Sequence, residues 1–559
     1  MNTSTGKLRF SVLFIAALTC LAIFYFRRIF SNVCIDLDTL NWVIELSGKG
    51  DRLTLLNSIA CMGWYSKFHL SLFPIVYVFT RAYSPVGGWD VLMGFKILTF
   101  ISTLGAFLLV FFLCKETISR PPLALLTSIV PFLTLGPCWM ATTCDDNTIS
   151  AFFEILFLVT IFICCRSLKS REGKPTAWGF ASGVTAALSL AIHLKNLVSL
   201  PVLIAPVFVK PSRRKSRFRT LAAASMGLLL TFGALYLLFL FMMQGQPSGA
   251  RYDFYVFHRQ PGRFFFTRYE SSVGDWLYFI LVGIRSTLYT FQELCINTNL
   301  FDRDLLGPAL LFLFFFLYAV AVIKTANRLA TRLLCAFFIC HLIHSSLYDS
   351  WVSERWDAIV VPVIVTVGIF WDSVLSGGRT RKARTATTMA VLLLFGGLVA
   401  ANFVQSDRLM AITGGRRPYT KSAVSWPYPK KAFFFFNHSE YYRLAKEMDN
   451  YFDEKTGFIP LRYTQPSASH AVACLDKYLR LYSKGYRTRQ IEDLTSIESL
   501  VRSGRLNRIL FIDELKVPFF HEEGRRGIVF TGGETRTVFE GKQVTLKEMR
   551  LVAGGTEGG

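Results

Sequence analysis

Roughly eleven apolar runs lie between Phe10 and Phe403, at 10–26, 91–114, 123–139, 149–165, 176–192, 195–209, 221–242, 305–323, 333–347, 357–371 and 388–404, and this pattern predicts a helical multi-span membrane protein. The polar stretches between the runs alternate in character. Lys115–Arg120, Arg166–Lys174, Lys210–Arg219, Lys324–Arg332 and Gly377–Arg384 are short, and each holds at least two Lys or Arg. The positive-inside rule therefore places them and the N-terminus on the cytoplasmic side. Residues 27–90, 140–148, 243–304, 348–356 and the tail from 405 fall on the opposite side. Within the first outer loop, His69–Phe79 is apolar but too short to cross and reads as an interfacial helix or shallow dip. The loop 243–304 mixes Arg251, Tyr252, Asp253, His258 and Arg259 with Phe264-Phe265-Phe266, again chemistry of an interface.

After about residue 405 the pattern turns soluble and predicts a small α/β or α+β domain of roughly 150 residues. Helices are expected over His438–Asp453, Ser467–Tyr482 and Asp493–Ser503, the last stopping at Gly504 before a strand at Arg508–Ile512. The organisation expected is a transmembrane domain over 1–404 and an extracytoplasmic domain over 405–559.

Composition sharpens this picture. With 52% apolar residues, 52 Phe and a mean hydropathy of +0.39, a soluble fold is excluded. The net charge of +23 sits largely in the cytoplasmic-type loops, which removes nucleic acid as the reason for it. Arg27 and Arg28 follow the first apolar run without a small-residue cleavage site, so that run reads as an uncleaved span. The twelve Cys show neither disulfide-framework nor zinc spacing.

Candidate chemistry lies on the outer side. Asp36 and Asp38 follow the first span, and Asp145-Asp146 precede the run that begins near Ile149. Paired carboxylates at a membrane surface can raise one another's pKa, bind a cation or take a proton from a hydroxyl. A solvated loop and a helix cap are the plain alternatives, and Asp145 and Asp146 are not distinguished. His193 and Lys195 interrupt the apolar stretch from Trp178 to Val209, which places them at a turn or makes Lys195 a costly buried charge. Arg355, directly before the apolar Ile359–Phe370, has the fork that holds a phosphoryl group, with Glu354 or Asp357 as structural partners instead. Lys67 and His69 are weaker members of the same cationic set. Gly173, Gly179 and Gly183 lack a phosphate-loop pattern, so no nucleotide site is expected.

In order and topology, residues 10–400 resemble the GT-C superfamily of integral-membrane glycosyltransferases, in particular the branch of protein O-mannosyltransferases and lipid A aminoarabinose transferases. Asp38-Thr39, Trp42, Gly48 and His69–Pro74 align with the acid, aromatic, Gly and His-Pro-like segment of that family's first outer loop. Asp145 or Asp146 aligns with its acid before the fourth span, Lys195 with a Lys near the sixth, and Arg355-Trp356 with its Arg-aromatic segment before Pro362. Thr39 stands where the family usually has Glu, Leu70 where it has Pro, and Trp356 where Tyr is frequent.

The resemblance implies a polyprenyl-phosphate sugar donor, a lipid, glycan or protein acceptor, and transfer with inversion in a bacterial inner (plasma) membrane. Under it Asp38, or Asp36, orients or deprotonates the acceptor hydroxyl, and Asp145 or Asp146 organises the pocket. Lys195 and Arg355, with His193, Lys67 and His69, bind the donor phosphate. No cofactor is identified; a divalent cation is compatible with the acids, but no ligand cluster in the sequence supports one. A secondary transporter and a non-catalytic envelope-polymer assembly protein are the competing readings.

Overall fold

The structure is a computed structural model and describes residues 3–32, 35, 37–49, 53–58, 69–170, 173–209, 216–243, 281, 306–347, 356–377, 380–413, 438–461, 470–491, 493, 496–515, 535–540 and 544–551. By contacts the chain forms two compact units, one of Met1–Ser31 with Glu45–Asp407 and one of Asn32–Ile44 with Arg408–Gly559.

The first unit is almost entirely helical. Its elements, with the helix α2 whose first residues belong to the second unit, are α1 (Thr3–Ser31), α2 (Leu37–Lys49), α3 (Leu55–Ser58), α4 (Leu72–Gly87), α5 (Val91–Thr117), α6 (Pro121–Ile129), α7 (Leu135–Thr142), α8 (Asp146–Lys169) and α9 (Pro175–Ile192). A 3₁₀ segment over Leu194–Ile204 leads into α10 (Ala205–Phe208), followed by α11 (Ser216–Met243), α12 (Leu306–Thr325), α13 (Leu329–Leu347), α14 (Trp356–Ser376) and α15 (Arg381–Thr413). Local chemistry sets many of the boundaries. Asp90 caps α5 by accepting from the Met93 N–H, while Pro121 and Pro175 stand in the first turns of α6 and α9, where a missing N–H costs nothing.

Among the described residues six helices (α1, α5, α8, α9, α11 and α14) are long and apolar enough to cross a membrane, or seven if α6 and α7, bent by 56°, count as one broken span. The expectation of eleven spans is corrected accordingly. The run at 195–209 is taken up by the 3₁₀ segment and α10, and the runs at 305–323, 333–347 and 388–404 lie in α12, α13 and α15.

Close approach of backbones packs the bundle. A Cβ on Gly179 or Gly183 of α9 would run into the carbonyl oxygens of Thr220 or Ala224 on α11, and one on Gly227 into that of Phe180. These glycines let two helices touch along their backbones, the packing that substitutes for a hydrophobic driving force in lipid. The basic loops are tied together at one end of the unit. Arg166 pairs with Glu116, Arg328 donates to the Thr117 carbonyl at 3.2 Å, and Arg120 pairs with Asp372 at 3.2 Å while also donating to the Leu375 carbonyl. The segment expected as an interfacial helix starts α4 at Leu72 and runs on to Gly87, with the Arg81 guanidinium over the Tyr77 and Trp89 rings.

The second unit carries helices α16 (His438–Glu447), α17 (His470–Tyr482), α18 (Lys484–Thr488) and α19 (Ile497–Arg502) with strands β1 (Thr456–Phe458), β2 (Arg508–Leu515), β3 (Thr535–Glu540) and β4 (Val544–Arg550). The strands form one sheet in the order β1-β2-β4-β3, with β1 parallel to β2 and the other pairs antiparallel. Gly504 takes a left-handed φ of 68° just before β2, which is why the preceding helix stops there. Glu548 is buried within the sheet and accepts from Arg508 and Arg536 at 3.3 and 3.2 Å, so its charge is compensated. Ile35 belongs to this unit and donates its N–H to the Tyr478 hydroxyl at 3.3 Å.

Candidate active site

Two helix ends in the first unit create the site. At the end of α7, Cys144 adopts φ 57°, the left-handed region that ordinary side chains avoid. Its N–H donates to the Ala141 carbonyl at 3.2 Å and that of Asp145 to the Met140 carbonyl at 2.9 Å, the paired bonds of a Schellman turn with Cys in the usual Gly position. Asp145 then caps α8, its Oδ1 accepting from the Asn147 N–H at 2.9 Å and from Asn147 Nδ2 at 2.7 Å. Asp146 becomes the first residue of α8, where the helix dipole favours a carboxylate.

The second end is that of α9. Its last carbonyls lack intrahelical partners. The Ser71 N–H donates to Ala191 O at 2.9 Å, and His69 Nδ1 bonds Ile192 O at 2.8 Å. The chain then breaks at His193 (φ −150°, ψ 117°), whose Nδ1 accepts from the Lys195 N–H at 3.2 Å and so caps the 3₁₀ segment. The apolar stretch carrying His193 and Lys195 is thus interrupted by a turn rather than being one continuous span.

Asp146, His69 and His193 meet where these ends converge. Asp146 Oδ2 lies 3.7 Å from His69 Nδ1 and 3.8 Å from His193 Nε2, the two rings stand edge to face at 4.8 Å, and all three residues are buried. One ligand atom from each lies within 4.8 Å of the others, so the cluster could coordinate a divalent cation. A tetrahedral ion with bonds near 2.1 Å holds its ligands roughly 3.4 Å apart, close to the 3.8 Å between Asp146 Oδ2 and His193 Nε2. The neighbours also set the tautomers. A carbonyl only accepts, so the neutral His69 ring keeps its proton on Nδ1 and presents a lone pair at Nε2. Neutral His193, accepting at Nδ1, carries its proton on Nε2 toward Asp146, and it would hold a cation at Nε2 only as the other tautomer, at the expense of the bond from the Lys195 N–H. Burial takes the His69 pKa down to about 4, with the Lys195 ammonium acting in the same direction and the Ile192 carbonyl opposing. His69 is therefore neutral near pH 7.

Below this cluster a polar column runs between α8 and the 3₁₀ segment. Asp146, Ser150 and Glu154 recur every four residues on α8, and His193, Asn196 and Ser199 every three on the 3₁₀ segment. Four α residues and three 3₁₀ residues both advance about 6 Å, so the two rows stay in step. Ser150 Oγ donates to Asn196 Oδ1 at 3.0 Å, and Ser199 Oγ donates to Glu154 Oε1 at 2.5 Å. Asn196 Nδ2 also donates to Ser189 O of α9 at 3.0 Å, and His341 Nε2 of α13 meets Ser199 Oγ at 2.9 Å. An 11-residue 3₁₀ segment is far longer than the usual single turn, and these bonds hold it.

Of the residues singled out in the sequence, the structure brings together Asp146, His69 and His193, with Lys195 in electrostatic reach of His69. Asp145 sits beside them as the cap. Asp38 lies on α2, in the part of the chain assigned to the second unit. Asp36, Lys67, Arg355 and most of the loop 243–304 lie outside the described residues. Glu154 and His341 were not anticipated, nor was Lys96 of α5, which is buried, donates to Phe30 O at 3.4 Å and lies within electrostatic reach of Cys144. All three are ionisable residues inside apolar runs, a signal present in the sequence.

No protein-family model matches the chain, and no curated protein matches it in sequence. In fold it is similar to ArnT from Cupriavidus metallidurans bound to undecaprenyl phosphate, at 12% identity and a TM-score of 0.50 over 98% of both chains. The Archaeoglobus fulgidus oligosaccharyltransferase in complex with Zn and sulfate aligns at 13% identity and a TM-score of 0.47, over 89% of this chain and 68% of that one. The likeness to ArnT is one of fold.

Proposed function

We propose that this chain, built on the GT-C fold, is a glycosyltransferase that moves a sugar from a polyprenyl-phosphate donor to a lipid, glycan or protein acceptor on the extracytoplasmic face. The observation that carries this reading is the buried His69/Asp146/His193 cluster with Lys195 beside it, at a break between apolar helices. The undecaprenyl phosphate bound by ArnT supports the donor class.

Such a donor carries its own leaving group, so no nucleotide site is needed. In the displacement the acceptor oxygen bonds to the anomeric carbon as the bond from that carbon to the phosphate oxygen breaks, with inversion. Asp38 takes the acceptor's proton; Lys195 and Arg355 stabilise the charge that grows on the departing phosphate. Asp146, held at the N-terminus of α8 between two imidazoles, organises the pocket, and Asp145 fixes its position. A divalent cation held by His69, Asp146 and His193 would add Lewis-acid stabilisation to the phosphate.

The test is transfer in liposomes containing the purified full-length chain, a radiolabelled polyprenyl-phosphate sugar pool and envelope acceptors. Labelled acceptor with release of polyprenyl phosphate is expected, with at least a hundredfold loss in Asp38→Asn and Lys195→Gln. Coupled uptake of solute without transfer would replace this reading by a transporter, and full transfer by Asp38→Asn would remove the assigned base.

A further inference from the structure

At the basic end of the first unit a cavity of about 620 Å³ opens between the 3₁₀ segment with α10 and helix α13. Its wall is mostly apolar and includes Val202, Phe208, Leu333 and Ile339; Phe208 and Ile339 are 75% and 50% exposed. Two cations line it as well, Lys169 at the last residue of α8 and Arg332 in the first turn of α13. Two other cations at this end are paired, Arg120 with Asp372 and Arg166 with Glu116. Among the described residues no carboxylate pairs with Lys169 or Arg332, and Arg332 spends only its Nε on the Ala326 carbonyl.

We propose that this cavity is a binding site for one anionic phospholipid, its phosphate between Lys169 and Arg332 and an acyl chain along the apolar wall. The two uncompensated charges stand at the ends of membrane helices, the depth at which a phosphate group lies, and the apolar wall extends from them along the helices. Basic pockets between membrane helices select anionic head groups in this way, each cation contributing on the order of a tenfold preference or less. The site is separate from the His69/Asp146/His193 cluster, which sits at the opposite end of the 3₁₀ segment, and it does not depend on the glycosyltransferase reading.

The experiment is native mass spectrometry of the full-length chain released from nanodiscs containing equal phosphatidylglycerol and phosphatidylcholine. The wild type is expected to retain one phosphatidylglycerol in about tenfold preference, and the variant Lys169→Gln with Arg332→Gln to retain both lipids equally. Arg166→Gln, which removes a cation already paired, should keep the preference, and a matching thermal midpoint for all three proteins shows that they are folded. Equal retention of the two lipids by the wild type, or an unchanged preference in the double variant, overturns the proposal. So does polyprenyl phosphate as the retained lipid, since the cavity would then serve the donor.

Discussion

His69 Nδ1 meets the carbonyl oxygen of Ile192 at 2.8 Å, so the segment that leads into α4 is bonded to the last residue of α9. One hydrogen bond satisfies an orphan carbonyl, fixes the imidazole's tautomer and brings the ring to Asp146.

A pH dependence follows from that burial. With a folded pKa of about 4 against 6.5, the unfolded chain binds the extra proton between these values, so stability is full above about 6.5 and falls as the pH drops toward 4. The loss is on the order of 3 kcal/mol. Thermal melts of wild type and His69→Gln between pH 4 and 7 should show the variant's midpoint to be the less pH-sensitive; parallel curves would mean His69 titrates normally.

Divalent ions provide a second check. Titrating Mn²⁺ or Zn²⁺ into the metal-stripped full-length chain should show one site, weakened at least tenfold in His69→Ala, His193→Ala and Asp146→Asn. If these variants bind as the wild type does, or if chelation leaves transfer unchanged, the cluster works through its own hydrogen bonds.

The Ser199 hydroxyl joins Glu154 to His341, and Ser199→Ala removes both the donor to Glu154 Oε1 and the oxygen that meets His341 Nε2. A destabilisation of about 1–3 kcal/mol is expected, together with reduced transfer, because the same 3₁₀ segment positions His193 and Lys195. Wild-type stability in this variant would show that the column does not hold the segment.

Cys144 separates thiol chemistry from backbone geometry. Cys144→Gly, free to adopt the left-handed turn, and Cys144→Ala, which lacks the thiol, should both fold and transfer. Cys144→Val adds β-branching at φ 57° and should lose at least about 1–2 kcal/mol, with Asp146 displaced. Loss of transfer in Cys144→Ala with wild-type stability would instead place the sulfur in the reaction.

Much of this arrangement is legible in the sequence, and the residues show why. The apolar runs give the helices, Asp145 before Asn147 reads as a cap, and His193 with Lys195 marks the break, because each signal acts over one or two turns. The strand at Arg508 and the helix ending at Tyr482 are readable for the same reason. Window-averaged hydropathy hides Glu154, His341 and Lys96, single polar groups in apolar runs, and it does not distinguish the 3₁₀ segment over Leu194–Ile204 from a span.

What the sequence by itself determined is the set of local elements, their apolar character and the residue types available for chemistry. Only the tertiary structure decided that Asp146 rather than Asp145 faces the imidazoles, and that His69 meets His193, 124 residues later in the chain. The reason is geometric: a cap and its neighbour differ by about 100° around α8, and an α-helix stays in step with a 3₁₀ segment only when the two lie side by side. Neither condition can be read from one segment alone.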